Sequence, residues 1–317
     1  QWLCSGQVKL PRKQPRPHQQ EALTAIAHGL VENDRATVVM ACGTGKSLVA
    51  LWAAERHGCK NLLVLVPSLA LVRQLLHEWL KETAWEQLTF MCVCSDPTVT
   101  KGVDDLIVHQ ADLDFPVTTE SAAVSRFLSK PFDGVRIVFS TYQSAQVVAD
   151  GMPVGADGMA QPFDLAVFDE AHKTASRDGT RFSFALEDTN LPIRKRLFFT
   201  ATPRHYDIRK KDKEGDNTLV YSMDKPEIYG PVVHTLSFAE AARRGIICDY
   251  KVVISVVTSA MVNNHLLQHG KVIVDGDTVK ARQVALQIAL QKAVEKYGVS
   301  RIFTFHGSVA AARSFTS

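Results

Sequence analysis

Apolar positions along the chain follow two alternating rhythms. From His18 to about Val31, the residues Ala22, Leu23, Ile26, Ala27 and Leu30 recur at the spacing of a helix with one buried face. A short β-branched run at 36–40 (ATVVM) then leads into glycines, and a helical segment follows from Lys46 to about Arg56. Residues 61–67 (NLLVLVP) predict a second strand and 69–80 (LALVRQLLHEWL) a second amphipathic helix. Three further runs, 135–140 (VRIVFS), 163–169 (FDLAVFD) and 195–200 (KRLFFT), are apolar without alternation. Strands of that kind need cover on both faces, and intervening helices supply it, so the pattern predicts a doubly wound α/β fold on a parallel sheet.

The rhythm breaks between Ser95 and Lys130, where acidic and turn-forming residues predict a lid or insertion with a helix near 120–129. Residues 205–218 (HYDIRKKDKEGDNT) read as a charged surface loop. A second unit begins near Asp249. It holds a strand at 250–257, a hairpin or inserted loop with an Asp-Gly turn at 270–280, a helix at 280–297 and a strand at 301–305. The expected division is a Pro- and Arg-rich linker at 1–15 and a first domain at 16–235. The remainder, 236–317, is a connector plus the incomplete start of a second domain, with 236–248 as a connecting helix and turn. Beginning at Gln1 and stopping at Ser317, the chain reads as a fragment.

Composition adds little. A chain of 317 residues with 46% hydrophobic and 22% charged content is that of an ordinary globular protein of about two domains. A net charge of +3 does not by itself argue for nucleic acid. The six cysteines (Cys4, Cys42, Cys59, Cys92, Cys94 and Cys248) have no paired spacing for zinc. Cys92 and Cys94 alternate in TFMCVC and read as buried free thiols on one face of a strand, usage that suits a reducing cytoplasm. No apolar stretch reaches the roughly 18 residues of a membrane span, so no membrane partner is expected.

Chemistry enters with two motifs. MACGTGKS (40–47) follows a strand and opens a helix, the context that gives a phosphate-binding loop its meaning. There Gly43 and Gly45 allow a tight turn, and the backbone N–H groups of Gly43, Thr44, Gly45, Lys46 and Ser47 can wrap a phosphate at the positive end of the helix. Lys46 would reach the β- and γ-phosphates of ATP, and the Ser47 hydroxyl would ligate Mg²⁺. The strict pattern has glycine where Met40 stands; the competing reading is a chance glycine-rich turn. FDLAVFDEAH (163–172) is a buried strand running into two carboxylates, 123 residues beyond Lys46. Asp169 would hold Mg²⁺ opposite Ser47, Glu170 would orient and deprotonate water, and His172 would couple the site to another motif. The competing reading is an acidic cap of the next helix.

In this order ACGTGKS, DEAH and TATP (200–203) resemble motifs I, II and III of the superfamily-2 helicases. RPHQQEA (16–22) resembles the adenine-holding motif, with Gln19 as the base-reading glutamine. VPSLALVRQ (66–74) and FSTYQS (139–144) resemble the two motifs that line the nucleic-acid track. The resemblance therefore implies Ser68, Arg73, Ser140 and Thr141 as DNA-backbone contacts, although Ser68 also reads as an N-cap and Arg73 as a solvated helix charge. Thr200 and Thr202 would couple the DEAH carboxylates to the DNA side. RIFTFHGSVAAARSF (301–315) resembles motif IV of a second RecA-like domain. The wording of these runs, with 221–254, is similar to the motors of single-polypeptide restriction–modification and related bacterial defence enzymes, which act on double-stranded DNA. The resemblance implies an ATP- and Mg²⁺-dependent DNA translocase, with nuclease or methyltransferase domains fused outside the fragment. An RNA helicase and a nucleotide-dependent switch are the alternatives. Motifs V and VI do not follow, so the fragment is expected to turn ATP over poorly.

Overall fold

The computed structural model describes residues 11–94, 115–155, 158–175, 180–205, 221–249, 271–274, 277–298, 301–306 and 312–313. The chain divides into two compact units, with the break after Asp249.

The first unit is built on one eight-stranded parallel sheet. In chain order its elements are α1 (Pro17–Glu32), β1 (Arg35–Met40), α2 (Lys46–His57), β2 (Asn61–Val66), α3 (Leu69–Glu82), β3 (Leu88–Val93), β4 (Val117–Thr118) and α4 (Ser121–Ser129). Then come β5 (Val135–Thr141), α5 (Ala145–Asp150), β6 (Phe163–Phe168), α6 (Thr180–Ser183), β7 (Ile193–Thr200), α7 (Pro226–Tyr229), β8 (Val232–Leu236) and α8 (Phe238–Arg243). The strand order is β4-β3-β5-β2-β6-β7-β1-β8.

Burial on both faces explains the apolar runs. In β2, Leu62, Val64 and Val66 enter the core under α1, α2 and α3. Leu63 and Leu65 enter the opposite core with Tyr142, Phe168 and Phe198. Arg196 is paired within the core: 1% exposed, it donates to the carbonyls of Ala185, Ile193 and Leu191 and pairs with Asp188.

Three segments differ from the periodicity. Residues 11–16 precede α1, but Arg12 and Lys13 tie α2 to α3. Arg12 Nε donates to the Glu82 carbonyl at 2.6 Å and its guanidinium pairs with Glu55, while the Lys13 N–H donates to the Glu82 carboxylate at 2.8 Å. The edge strand β8 was not foreseen, because VVHTL is half exposed and carries no continuous apolar run. It lies beside β1, and residues 236–248 continue into the same unit, with Ala241 of α8 fully buried. The turn before it requires glycine. Gly230 has φ 68°, and a Cβ there would lie 2.0 Å from the Arg35 carbonyl oxygen.

In the second unit, β9 (Lys271–Val274) and β10 (Asp277–Lys280) form the expected antiparallel hairpin, followed by α9 (Ala281–Tyr297). The strand expected at 301–305 is corrected. These residues are neither helix nor strand, and Phe303 and Phe305 are 88% and 95% exposed. A strand needs a neighbour for its backbone groups, and among the described residues none pairs with this run. The expected strand at 250–257, most of the 95–130 insertion and nearly all of the 205–218 loop lie outside the described residues.

Candidate functional site

Strand order brings the candidate residues to one edge. β6, β7 and β1 are consecutive, parallel neighbours, so the segments leaving their C-terminal ends lie side by side. Val39 of β1 stands opposite Thr200 of β7, and Phe168 of β6 opposite Phe198.

Leaving β1, the loop turns at Gly43 (φ 81°) and Gly45 (φ 84°), and Gly45 is the N-cap of α2. Thr44 is buried and its hydroxyl closes the loop on the Ala41 carbonyl at 2.6 Å. The Thr44 carbonyl accepts from Gln19 Nε2 at 3.1 Å and lies 3.1 Å from His18 Nε2. Gln19 also accepts the Arg16 N–H at 2.9 Å, so its amide holds the helix start and the loop at once. A Cβ at Gly45 would lie 2.3 Å from Gln19 Nε2, which leaves this position to glycine on two counts. Lys46 opens α2, so the positive end of a 12-residue helix faces the loop.

At the end of β6 the Asp169 N–H continues the ladder to the Leu65 carbonyl at 2.9 Å, and its carboxylate accepts the Glu170 N–H at 3.0 Å. Burial, then the neighbouring Glu170 charge, pushes the Asp169 carboxyl up to about 6, against the pull of that N–H and of Lys46. Glu170 moves the other way: the His172 hydrogen bond holds its carboxyl below the ordinary range despite burial. His172 Nδ1 lies 3.3 Å from Glu170 Oε2 and 3.0 Å from the Thr200 hydroxyl. Thr200 in turn accepts the Thr202 N–H at 3.1 Å. One imidazole thus joins the carboxylate after β6 to the hydroxyl ending β7.

The residues fit an anionic ligand and its cation. A turn with two positive-φ glycines at a helix start suits phosphate. A carboxylate whose pKa is raised by burial and by a neighbouring carboxylate suits a divalent cation. Ser47 is the departure. Its hydroxyl donates to Glu78 of α3 at 2.5 Å, and its carbonyl accepts the Trp79 indole N–H at 3.0 Å. The hydroxyl's lone pairs stay free for a cation while its proton is held by Glu78.

The predicted DNA contacts fare unevenly. Ser68 is the N-cap of α3 and accepts the Leu71 N–H at 3.4 Å, the alternative reading. Arg73 is exposed on α3. Ser140 and Thr141 lie inside the fold. Both are buried at the end of β5; Ser140 bonds the Thr141 carbonyl at 3.0 Å, and Thr141 lies 2.9 Å from the Ser144 hydroxyl. Neither hydroxyl reaches a surface. Thr202 is exposed. Sequence reasoning missed Glu78 and Tyr142, whose hydroxyl donates to the Asp169 carbonyl at 2.7 Å. The signal for Tyr142 lay in FSTYQS, where the tyrosine follows a buried strand.

Comparison with known proteins decides the family. Residues 12–205, more than half of the chain, match the family described as Type III restriction enzyme, res subunit. The chain belongs to that family. Over 237 residues this res-subunit domain is 28% identical to the probable helicase of African swine fever virus, covering 74% of the chain and 23% of that protein. Among solved structures it is similar to the ATP-dependent Type ISP restriction-modification enzyme LlaBIII bound to DNA. That match has a TM-score of 0.71 and 28% identity, and covers 94% of this chain and 20% of the other. A nuclease-deletion mutant of the Type ISP enzyme LlaGI, in complex with a DNA substrate mimic, matches with TM-score 0.58 and 32% identity over 74% of this chain and 18% of the other. The res-subunit domain therefore spans about a quarter or less of each of these relatives. It is a helicase-type domain of RecA-like fold, related to the motor domains of restriction enzymes, and its family implies use of ATP. Among the described residues no helix is long and apolar enough to cross a membrane.

Proposed function

We propose that the chain is the ATP-binding half of a motor that moves along double-stranded DNA within a restriction or defence enzyme. The observation that carries this reading is the bonded line Glu170–His172–Thr200–Thr202, set beside the glycine loop on adjacent strand ends. The likeness to LlaBIII and LlaGI, both solved with DNA or a mimic of it, supports DNA as the track.

In this reading Lys46 and the N–H groups of 43–47 bind the β- and γ-phosphates. Asp169 and the Ser47 oxygen would hold magnesium, which when bound would supply positive charge to the phosphate oxygens. Glu170 orients water and takes its proton; the bond from His172 keeps its carboxylate charged and aimed. Thr200 and Thr202 pass any movement of His172 to the loop after β7. Gln19 senses the base side through the grip it already has on Thr44.

The test uses the protein that carries this chain. Glu170→Gln is expected to keep nucleotide binding while turnover falls by about 10²-fold or more. Lys46→Ala should weaken binding itself. Duplex DNA should stimulate turnover more than single-stranded DNA or RNA, and preferential stimulation by RNA would defeat the choice of track.

A further inference from the structure

The DEAH turn is gripped from both ends. Tyr142, 1% exposed just past β5, donates its hydroxyl to the main-chain carbonyl of Asp169 at 2.7 Å. Tyr229, fully buried at the end of α7, lies 2.9 Å from the Thr174 hydroxyl. Thr174 uses its own proton on the Ala171 carbonyl at 2.7 Å, so Tyr229 is the donor. A column of rings joins the two tyrosines through the core that Leu63 and Leu65 enter. Its centroid separations are 6.2 Å from Tyr142 to Phe168, 4.6 Å from Phe168 to Phe198 and 5.1 Å from Phe198 to Tyr229.

Between the two anchor points stands Glu170, at φ 50° and ψ 44° the only non-glycine residue with positive φ among those described. A glutamate keeps that conformation only where its surroundings impose it. The 3₁₀ turn after it, Ala171–Lys173, is short and holds itself by few bonds. Phenylalanine at either tyrosine would keep the ring packing, so the hydroxyls have work beyond filling space.

We infer that Tyr142 and Tyr229 are positioning residues, whose hydroxyls fix the backbone on both sides of Glu170 and so fix where its carboxylate points. The functional half of this inference rests on the proposed role of Glu170; the structural half does not.

Tyr142→Phe, Tyr229→Phe and the double variant should be compared with Ile193→Val, a change at the far end of β7 that lowers stability without touching the turn. Hydrogen exchange reads the clasp directly. The Lys173 and Thr174 amides, bonded to the Glu170 and Ala171 carbonyls, should exchange about three- to tenfold faster in each tyrosine variant and not in Ile193→Val. In steady state kcat should fall by a similar factor for each single variant, further for the double, with KM within about twofold. Unchanged exchange in the turn overturns the inference. So does a kcat that follows thermal stability alone, with Ile193→Val losing as much as the tyrosine variants. A wild-type protein that hydrolyses no ATP would instead sink the proposed function, while exchange would still decide the clasp.

Discussion

Thr200 shows how much one side chain carries here. It ends β7 without solvent exposure, meets His172 and accepts the Thr202 N–H. Thr200→Val keeps the shape and removes both bonds, so the Thr202 N–H loses its protein acceptor and His172 Nδ1 is left with Glu170 alone. We predict a loss of about 1–3 kcal/mol in stability, read by urea unfolding. We also predict that basal ATP turnover survives better than its stimulation by DNA. Equal loss of both would show that Thr200 does not couple. The placing of Lys46 at a helix start after β1, and of Asp169 and Glu170 after β6, was legible in the sequence because an apolar run ends just before each motif. The Ser47–Glu78 pair was not, since the partners are 31 residues apart on separate helices. The burial of Ser140 and Thr141 was not legible, because the end of an apolar run shows where a strand stops, not which hydroxyls turn inward.

At the level of elements, continuous apolar runs gave away β1, β2, β5, β6 and β7, the strands buried on both faces. β8 escaped because an edge strand has only one neighbour and keeps polar and exposed positions. Its attachment can be tested at Gly230. A Cβ there meets Arg35 backbone and the φ of 68° disfavours any L side chain, so Gly230→Ala should lower stability by at least about 2 kcal/mol. Hydrogen exchange should rise first in β8 and the outer side of β1. Retained stability would mean that the turn adapts more readily than its geometry allows. The basic stretch before α1 teaches a related lesson. Its prolines exclude a helix, which is all that composition could say, while the grip of Arg12 and Lys13 on α2 and α3 depends on carboxylates 43 and 69 residues away.

For the molecule as a whole, solvent exclusion from the sheet shows in its thiols. Burial lifts Cys59 and Cys92 from an ordinary 9 to about 12. Both stay protonated in the folded state while the unfolded chain ionises them above pH 9. Their contribution to stability is therefore full below pH 9 and declines as pH rises toward 12. The urea midpoint should fall less steeply between pH 8.5 and roughly 10.5 in a Cys59→Ala, Cys92→Ala chain than in the wild type, and parallel slopes would refute this. At neutral pH a thiol reagent should label Cys42 and Cys248, which are exposed, well before Cys59, Cys92 and Cys94. Peptide mapping of the labelled protein checks the order.

The placement of β1 has a consequence for synthesis. Its only partners in the sheet are β7 and β8, and Val39 pairs with Thr200, 161 positions later. At typical elongation rates that wait lasts roughly 8–30 s on the ribosome. During it RATVVM has emerged as a sticky, unpaired strand, and the glycine loop behind it has no frame. On the proposed function, a nascent chain of this kind would complete its nucleotide site only after the TATP strand arrives. Stalled chains that end before β7 should neither retain ATP nor escape the chaperones that capture bare β-strands.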